Sequence, residues 1–120
     1  MKHFGLNVAM DALIPIAYTK PRAGLVIVVA DDPGCHSSAQ SEQDTRVFSD
    51  NLYIPILSPS DPQEAKEFTK TAFEISEKFE KPVILILTTR LAHQVSPVKI
   101  GTIPPANMKG KFVKDEKRFN

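Results

Sequence analysis

Apolar residues along this chain fall into two textures: short unbroken runs and helical spacings. Leu25-Val26-Ile27-Val28-Val29-Ala30 and Val83-Ile84-Leu85-Ile86-Leu87 carry no polar residue. Strands covered on both faces in a parallel sheet read this way, so each run predicts such a strand. Ile54-Pro55-Ile56-Leu57 predicts another, and its proline confines it to a sheet edge or a strand start. From about Leu6 to Tyr18 the residues Leu6, Ala9, Met10, Leu13 and Ala17 recur at three- and four-residue spacing, which predicts a helix. Pro15 predicts a break or kink near its end.

Thr19-Lys20-Pro21-Arg22-Ala23-Gly24 is turn chemistry. Asp44 to about Leu52 reads as a second helix, with Val47, Phe48 and Leu52 inward. Asp61-Pro62-Gln63-Glu64 places a cap, a proline at the first helical position and a carboxylate at the third. The helix it opens carries Ala65, Phe68, Ala72, Ile75 and Phe79 inward. Glu74 with Lys78, and Glu77 with Lys81, pair on its outer face, and Lys81-Pro82 stops it.

Strand, helix, strand, helix, strand implies an α/β protein: a three-layer αβα open parallel sheet. Residues 1–100 carry this pattern. Residues 101–120, with Thr102-Ile103-Pro104-Pro105 and the charged Lys114-Asp115-Glu116-Lys117-Arg118, read as a linker or tail. Three strands are few for this architecture, so the pattern also reads as part of a larger domain. The strands such a part lacks predict an unpaired sheet edge, and hence self-association of the chain alone.

A length of 120 residues bounds the core to one modest domain, and a formal net charge of +1 gives no global case for nucleic acid. No apolar stretch nears the roughly 18 residues that span a bilayer, and the first residues lack a signal peptide's apolar segment. One cysteine excludes an internal disulfide framework, which fits a reducing, cytoplasmic setting.

Candidate chemistry concentrates after the first apolar strand. Asp31-Asp32-Pro33-Gly34-Cys35-His36-Ser37-Ser38, then Glu42-Gln43-Asp44-Thr45-Arg46, leave the carboxyl end of a predicted parallel strand, where open α/β sheets bind ligands. The acid pair fits a receiver-type magnesium site poorly, because the later strands end in Leu57-Ser58 and Leu87-Thr88-Thr89, with no phosphoacceptor aspartate. Taken alone it reads as a solvated turn closed by Pro33-Gly34. Cys35 beside His36 reads as an unpaired thiol, since adjacent loop residues point apart. His3, His36 and His93 lack metal-ligand spacing, and no phosphate-cradling glycine-rich loop is present. Residues 37–46 read equally as a ligand-reading loop or as a polar surface loop in which Asp44 caps the next helix.

Met1-Lys2-His3-Phe4-Gly5-Leu6-Asn7-Val8-Ala9, the stretch 24–32, and His36-Ser37-Ser38 with Glu42 to Arg46 are similar to blocks of a known family. So are Pro59 to Phe79, Lys81 to Leu85, and Phe112-Val113-Lys114-Asp115. Together, over roughly residues 1–115, they resemble the large subunits of indolepyruvate:ferredoxin oxidoreductases, within the thiamine-diphosphate-dependent 2-oxoacid:ferredoxin oxidoreductases.

The resemblance implies the C-terminal part of a pyrimidine-binding domain. Its thiamine diphosphate would be shared with a domain not in this chain, and magnesium and 4Fe-4S clusters would lie only in partner domains. It implies oxidative decarboxylation of an aryl pyruvate to the acyl-CoA, with electrons to ferredoxin. The expected partners are the remaining domains or subunits, ferredoxin and coenzyme A, in a homo- or hetero-oligomer, without nucleic acid or membrane. Carried over residue by residue, His3 and His36 are the expected catalytic contacts, and Lys2, Gly5, Asn7, Ser37, Ser38, Gln43 and Asp44 the expected cofactor contacts. Where pyruvate-specific members have an arginine for the substrate carboxylate, this chain has Asp31-Asp32, which points to aryl pyruvates. The family's glutamate for the aminopyrimidine is absent here, so the chain alone is expected to be inactive. The alternative is a non-catalytic α/β module that binds a partner subunit.

Overall fold

A computed structural model describes residues 1–34, 42–103 and 117. In chain order the elements are α1 (His3–Thr19), β1 (Val26–Asp31), a 3-10 turn (Thr45–Val47), α2 (Phe48–Leu52), β2 (Ile56–Leu57), α3 (Pro62–Phe79), β3 (Val83–Thr88) and α4 (Thr89–Ala92). The strands form one parallel sheet in the order β1-β3-β2. Val26 to Asp31 pair with Val83 to Thr88, and Ile56-Leu57 pair with Ile84-Leu85. The chain is therefore α/β with an open parallel sheet, and β2, the strand holding Pro55 at its entry, lies at an edge.

Alternation along the strands divides the core. Ile27, Val29, Ile84, Ile86 and Ile56 face one side, where they pack with Leu6, Met10, Leu13 and Ala17 of α1 and with Phe48, Leu52 and Ile54 around α2. The alternate residues of the register, Val83 and Leu85 among them, face α3, which seats on the sheet through the fully buried Ala72 and Ser76. Each large side chain buried this way stabilises the fold by about 1.5–3 kcal/mol.

The outer edge of β1 carries a stub of further pairing. Lys2 forms a parallel bridge with Ala30, the Met1 ammonium donates to the Val28 carbonyl (2.7 Å), and the Ala30 amide donates to the Met1 carbonyl (2.8 Å). The first two residues thus run alongside β1 before the chain turns into α1. At the other end of the sheet, Ser76 Oγ accepts from the Leu25 amide (2.8 Å) and donates to the Lys81 carbonyl (2.6 Å), pinning α3 to the entries of β1 and β3. A Cβ on Gly24 would sit 2.8 Å from the Phe73 ring, so any larger residue at this strand entry would have to displace that half-exposed ring.

Several sequence expectations change. The first helix starts at His3 and continues through Pro15, which does not break it. Asp11 and Pro15 are both exposed, so water can satisfy the Asp11 carbonyl that proline leaves without an amide. The segment expected to be helical from Asp44 begins as a 3-10 turn, and that turns Val47 out to 60% exposure. Phe79 lies outward at 59% exposure, on the last turn of α3 before Glu80 takes a left-handed φ of 50°. The outer-face pairs give way to other partners: Lys81 Nζ donates to the Ala17 carbonyl of α1 (2.7 Å), and Lys78 lies over the Phe79 ring. The cap at Asp61 forms as expected, accepting from the Glu64 amide (2.9 Å), while Glu64 reaches back to the amide and hydroxyl of Ser60. Of the proposed 101–120 linker, only 101–103 and 117 are among the described residues.

A polar cluster at the carboxyl end of the sheet

Three parallel segments, the Met1-Lys2 stub, β1 and β3, deliver polar residues to one end of the sheet. β1 ends in Asp31 and is followed by Asp32, both 1% exposed. They are not the solvated turn that their sequence alone implies. Burying a carboxylate is costly unless it is paired or hydrogen-bonded, and the fold supplies partners. Asp32 takes an ion pair from Lys2 Nζ on one oxygen and a hydrogen bond from Thr89 Oγ1 on the other. Asp31 Oδ2 accepts the Thr45 amide at 2.6 Å.

His3, the first residue of α1, is 2% exposed and faces both acids, its Nδ1 4.0 Å from Asp31 Oδ1 and from Asp32 Oδ2. Its ring meets Phe4 edge-on, with centroids 5.5 Å apart. His3 Nδ1, Asp31 Oδ1 and Thr45 Oγ1 are buried without a hydrogen-bond partner among the described residues. Native proteins rarely leave such atoms unsatisfied. Three in one cluster mark hydrogen-bonding capacity left unused among the described residues.

At the exposed rim, the side-chain amides of Asn7 and Gln43 bond reciprocally, at 2.7 and 3.1 Å. An antiparallel bridge pairs Asp32 with Gln43. Asp44 is turned to Arg46: its Oδ1 accepts the Arg46 amide (3.0 Å) and both oxygens accept the guanidinium. Those hydrogen bonds hold the Asp44 carboxyl below the usual carboxylate range against a smaller opposing effect of burial. Gly5 sits in the first turn of α1, and a Cβ there would meet Met1 Cβ at an ordinary 3.5 Å.

Of the residues singled out from the sequence, Lys2, His3, Gly5, Asn7 and Gln43 converge on this sheet end. Asp44 lies beside it but is committed to its cap and ion pair. His36, Ser37 and Ser38 lie outside the described residues. Sequence reasoning missed Thr45 and Thr89 as partners of the acids, and took the acids themselves as exposed. The signal available was two carboxylates directly continuing a six-residue apolar run, where the chain is still inside the sheet.

Among the described residues no group of three or more His, Cys, Asp or Glu is placed to hold a metal. No described helix is long and apolar enough to cross a membrane. A groove of about 420 Å³ lies between Gln63 and Glu67 of α3 and residues 97–99, and none of the polar-cluster residues lines it.

The chain is similar to proteins named indolepyruvate oxidoreductase subunit IorA. It is 48% identical over 119 residues to that of Methanothermobacter thermautotrophicus, a match covering 99% of this chain and 19% of the relative. The Pyrococcus horikoshii subunit is 50% identical over 111 residues (92% of this chain, 17% of the relative). That of Archaeoglobus fulgidus is 49% identical over 104 residues (87% and 16%). The chain thus spans about a fifth of the length of the curated relatives it matches. No family model matches it, and no solved structure does.

Proposed function

Since the chain belongs to the family of the indolepyruvate oxidoreductase IorA subunits, matching one segment of them over 99% of its own length, we propose that it forms one wall of a thiamine diphosphate cleft. The enzyme is a 2-oxoacid:ferredoxin oxidoreductase that converts an aryl pyruvate such as indolepyruvate to the acyl-CoA. The observation that carries this reading is the identity of 48% sustained over 119 residues. The polar cluster at the carboxyl end of the parallel strands, the usual ligand end of such sheets, supports it.

The residues at that end suit an aminopyrimidine ring. Asn7 and Gln43 offer amide donors and acceptors at the exposed rim, and their mutual bonds can be exchanged for bonds to a ligand. His3 Nδ1, Asp31 Oδ1 and Thr45 Oγ1, buried at the same end of the sheet, have no hydrogen-bond partner among the described residues. When bound, the cofactor supplies a nucleophilic carbon for the substrate ketone and a sink for the electrons that decarboxylation leaves. This chain's own part is placement. Asp32 fixes the Lys2 ammonium and Thr89, and with Asp31 it flanks the imidazole of His3, so the floor of the site is set before any ligand arrives. His36, with Ser37 and Ser38, is assigned to the reacting centre by family resemblance, where an imidazole moves a proton or stabilises developing oxyanion charge. Diphosphate, magnesium and the 4Fe-4S clusters belong to parts of the enzyme outside this chain, as do the contacts to ferredoxin and coenzyme A. The chain is inactive alone, because transition-state stabilisation needs the assembled site.

The test replaces the matching segment of the Methanothermobacter thermautotrophicus IorA subunit with this chain, alongside its partner subunits. Retained thiamine diphosphate binding by calorimetry, and indolepyruvate-dependent reduction of ferredoxin, are expected. A His36→Ala version should bind the cofactor but turn over at least about a hundredfold more slowly. A folded chimera that binds no thiamine diphosphate overturns the reading and leaves the non-catalytic partner-binding module in its place.

A further inference from the structure

Helix α1 is apolar on both of its sides. Its inner face, Leu6, Leu13 and Ala17, is buried on the sheet. Its outer face presents Phe4 (39% exposed), Val8 (83%), Ile14 (42%) and Tyr18 (66%), with Ala12 and Pro15 exposed beside them. Across all seventeen residues the one charged side chain is Asp11, which is also exposed. A helix that is apolar all round is normally enclosed by protein. Contiguous exposed apolar surface marks an interaction site.

We infer that this outer face is a docking surface for the part of an IorA-type subunit that this chain does not span, and that it meets an apolar patch carrying a lysine or arginine opposite Asp11. The inference rests on the family reading above, and two observations choose the occupant. The first is the length of polypeptide available: the matched segment is 19% of the relative, so most of that subunit lies outside it. The second is charge. Asp11 is the midpoint of α1, which runs from His3 to Thr19. Two copies packed through this face about a two-fold axis at mid-helix bring Asp11 against Asp11, a like-charge contact with no cation of the helix to relieve it. A different surface with one cation completes the face, whereas a second copy does not.

The experiment uses the chimeric subunit, with a photo-activated benzophenone amino acid in place of Val8 and, as a control, in place of the exposed Lys70 on α3. The expected result is a cross-link from position 8 to IorA sequence outside the exchanged segment, next to a lysine or arginine, and none from position 70. The variant Asp11→Lys should weaken that cross-link roughly tenfold, and Asp11→Asn should weaken it less. A cross-link from position 8 to a second copy, detected by mixing isotope-labelled and unlabelled chains, overturns the inference. So does a folded chimera that gives no cross-link, or one indifferent to Asp11→Lys. The readout needs no thiamine diphosphate. Lost cofactor binding with the cross-link intact therefore defeats the functional reading alone, and the converse defeats only this one.

Discussion

Helices α1 and α3 cover opposite faces of the same three strands, yet they are built by different rules. α3 carries seven charged residues in eighteen, opens on a side-chain cap and a proline, and exposes Glu67, Lys70, Glu74, Glu77 and Lys78. α1 has no side-chain cap, an internal proline and a single carboxylate. Both bury small residues where they cross the sheet, Ala72 on one and Ala17 on the other. The difference therefore lies in what each outer face meets. α3 meets water and residues 97–100 through a largely charged face, Lys66 Nζ donating to the Ile100 carbonyl at 2.6 Å, whereas α1 presents a largely apolar one.

Changes on the inner faces should have the largest effects. Leu6→Ala removes a fully buried side chain from the α1 side of the core and should cost about 2–5 kcal/mol in urea-induced unfolding. A cost below about 1 kcal/mol would mean that α1 is not seated on the sheet as described. On the α3 side the anchor is polar. Ser76→Ala leaves the Leu25 amide without its partner and should cost about 1–3 kcal/mol, with faster amide exchange at Leu25 than elsewhere in β1.

Outside both helices, Asp44→Asn removes an exposed ion pair with Arg46 and should cost no more than about 1 kcal/mol at neutral pH. The folded carboxyl is held below its ordinary value, so its contribution is full above the ordinary carboxylate range and disappears as pH falls through the folded value. Thermal melts of wild type and variant should therefore converge in acid. Melts that stay equally separated down to acid pH would assign the effect to the cap alone. The smallest effect belongs to the contrast itself. Val8→Lys on α1 and Lys70→Ala on α3 should each change the stability of the free chain by no more than about 0.5 kcal/mol, because neither inner face is touched. Only the first should disturb assembly.

Much of the fold was legible because its signals were local. The unbroken runs from Leu25 and from Val83 became the two long paired strands, and Asp61-Pro62 set the start of α3 to the residue. What failed depended on contacts distant in sequence. Nothing near Lys81 announces that its ammonium will reach Ala17, 64 positions earlier, in preference to Glu77. Asp31 and Asp32 looked exposed because their partners, Lys2, Thr45 and Thr89, arrive from three separate segments. The helix from His3 extended three residues before its first periodic apolar position, since no capping side chain marks that end. At the candidate site, family resemblance selected Lys2, His3, Asn7 and Gln43, residues that hydropathy patterning passes over.

The bond from the Met1 nitrogen to the Val28 carbonyl has a practical side. A backbone amide donates there as well as an ammonium does, so an affinity tag fused ahead of Met1 keeps that bond. Its last residues are then led along β1 toward Val26. The linker of such a tag enters beside an open strand edge, so its sequence should be chosen with that edge in mind.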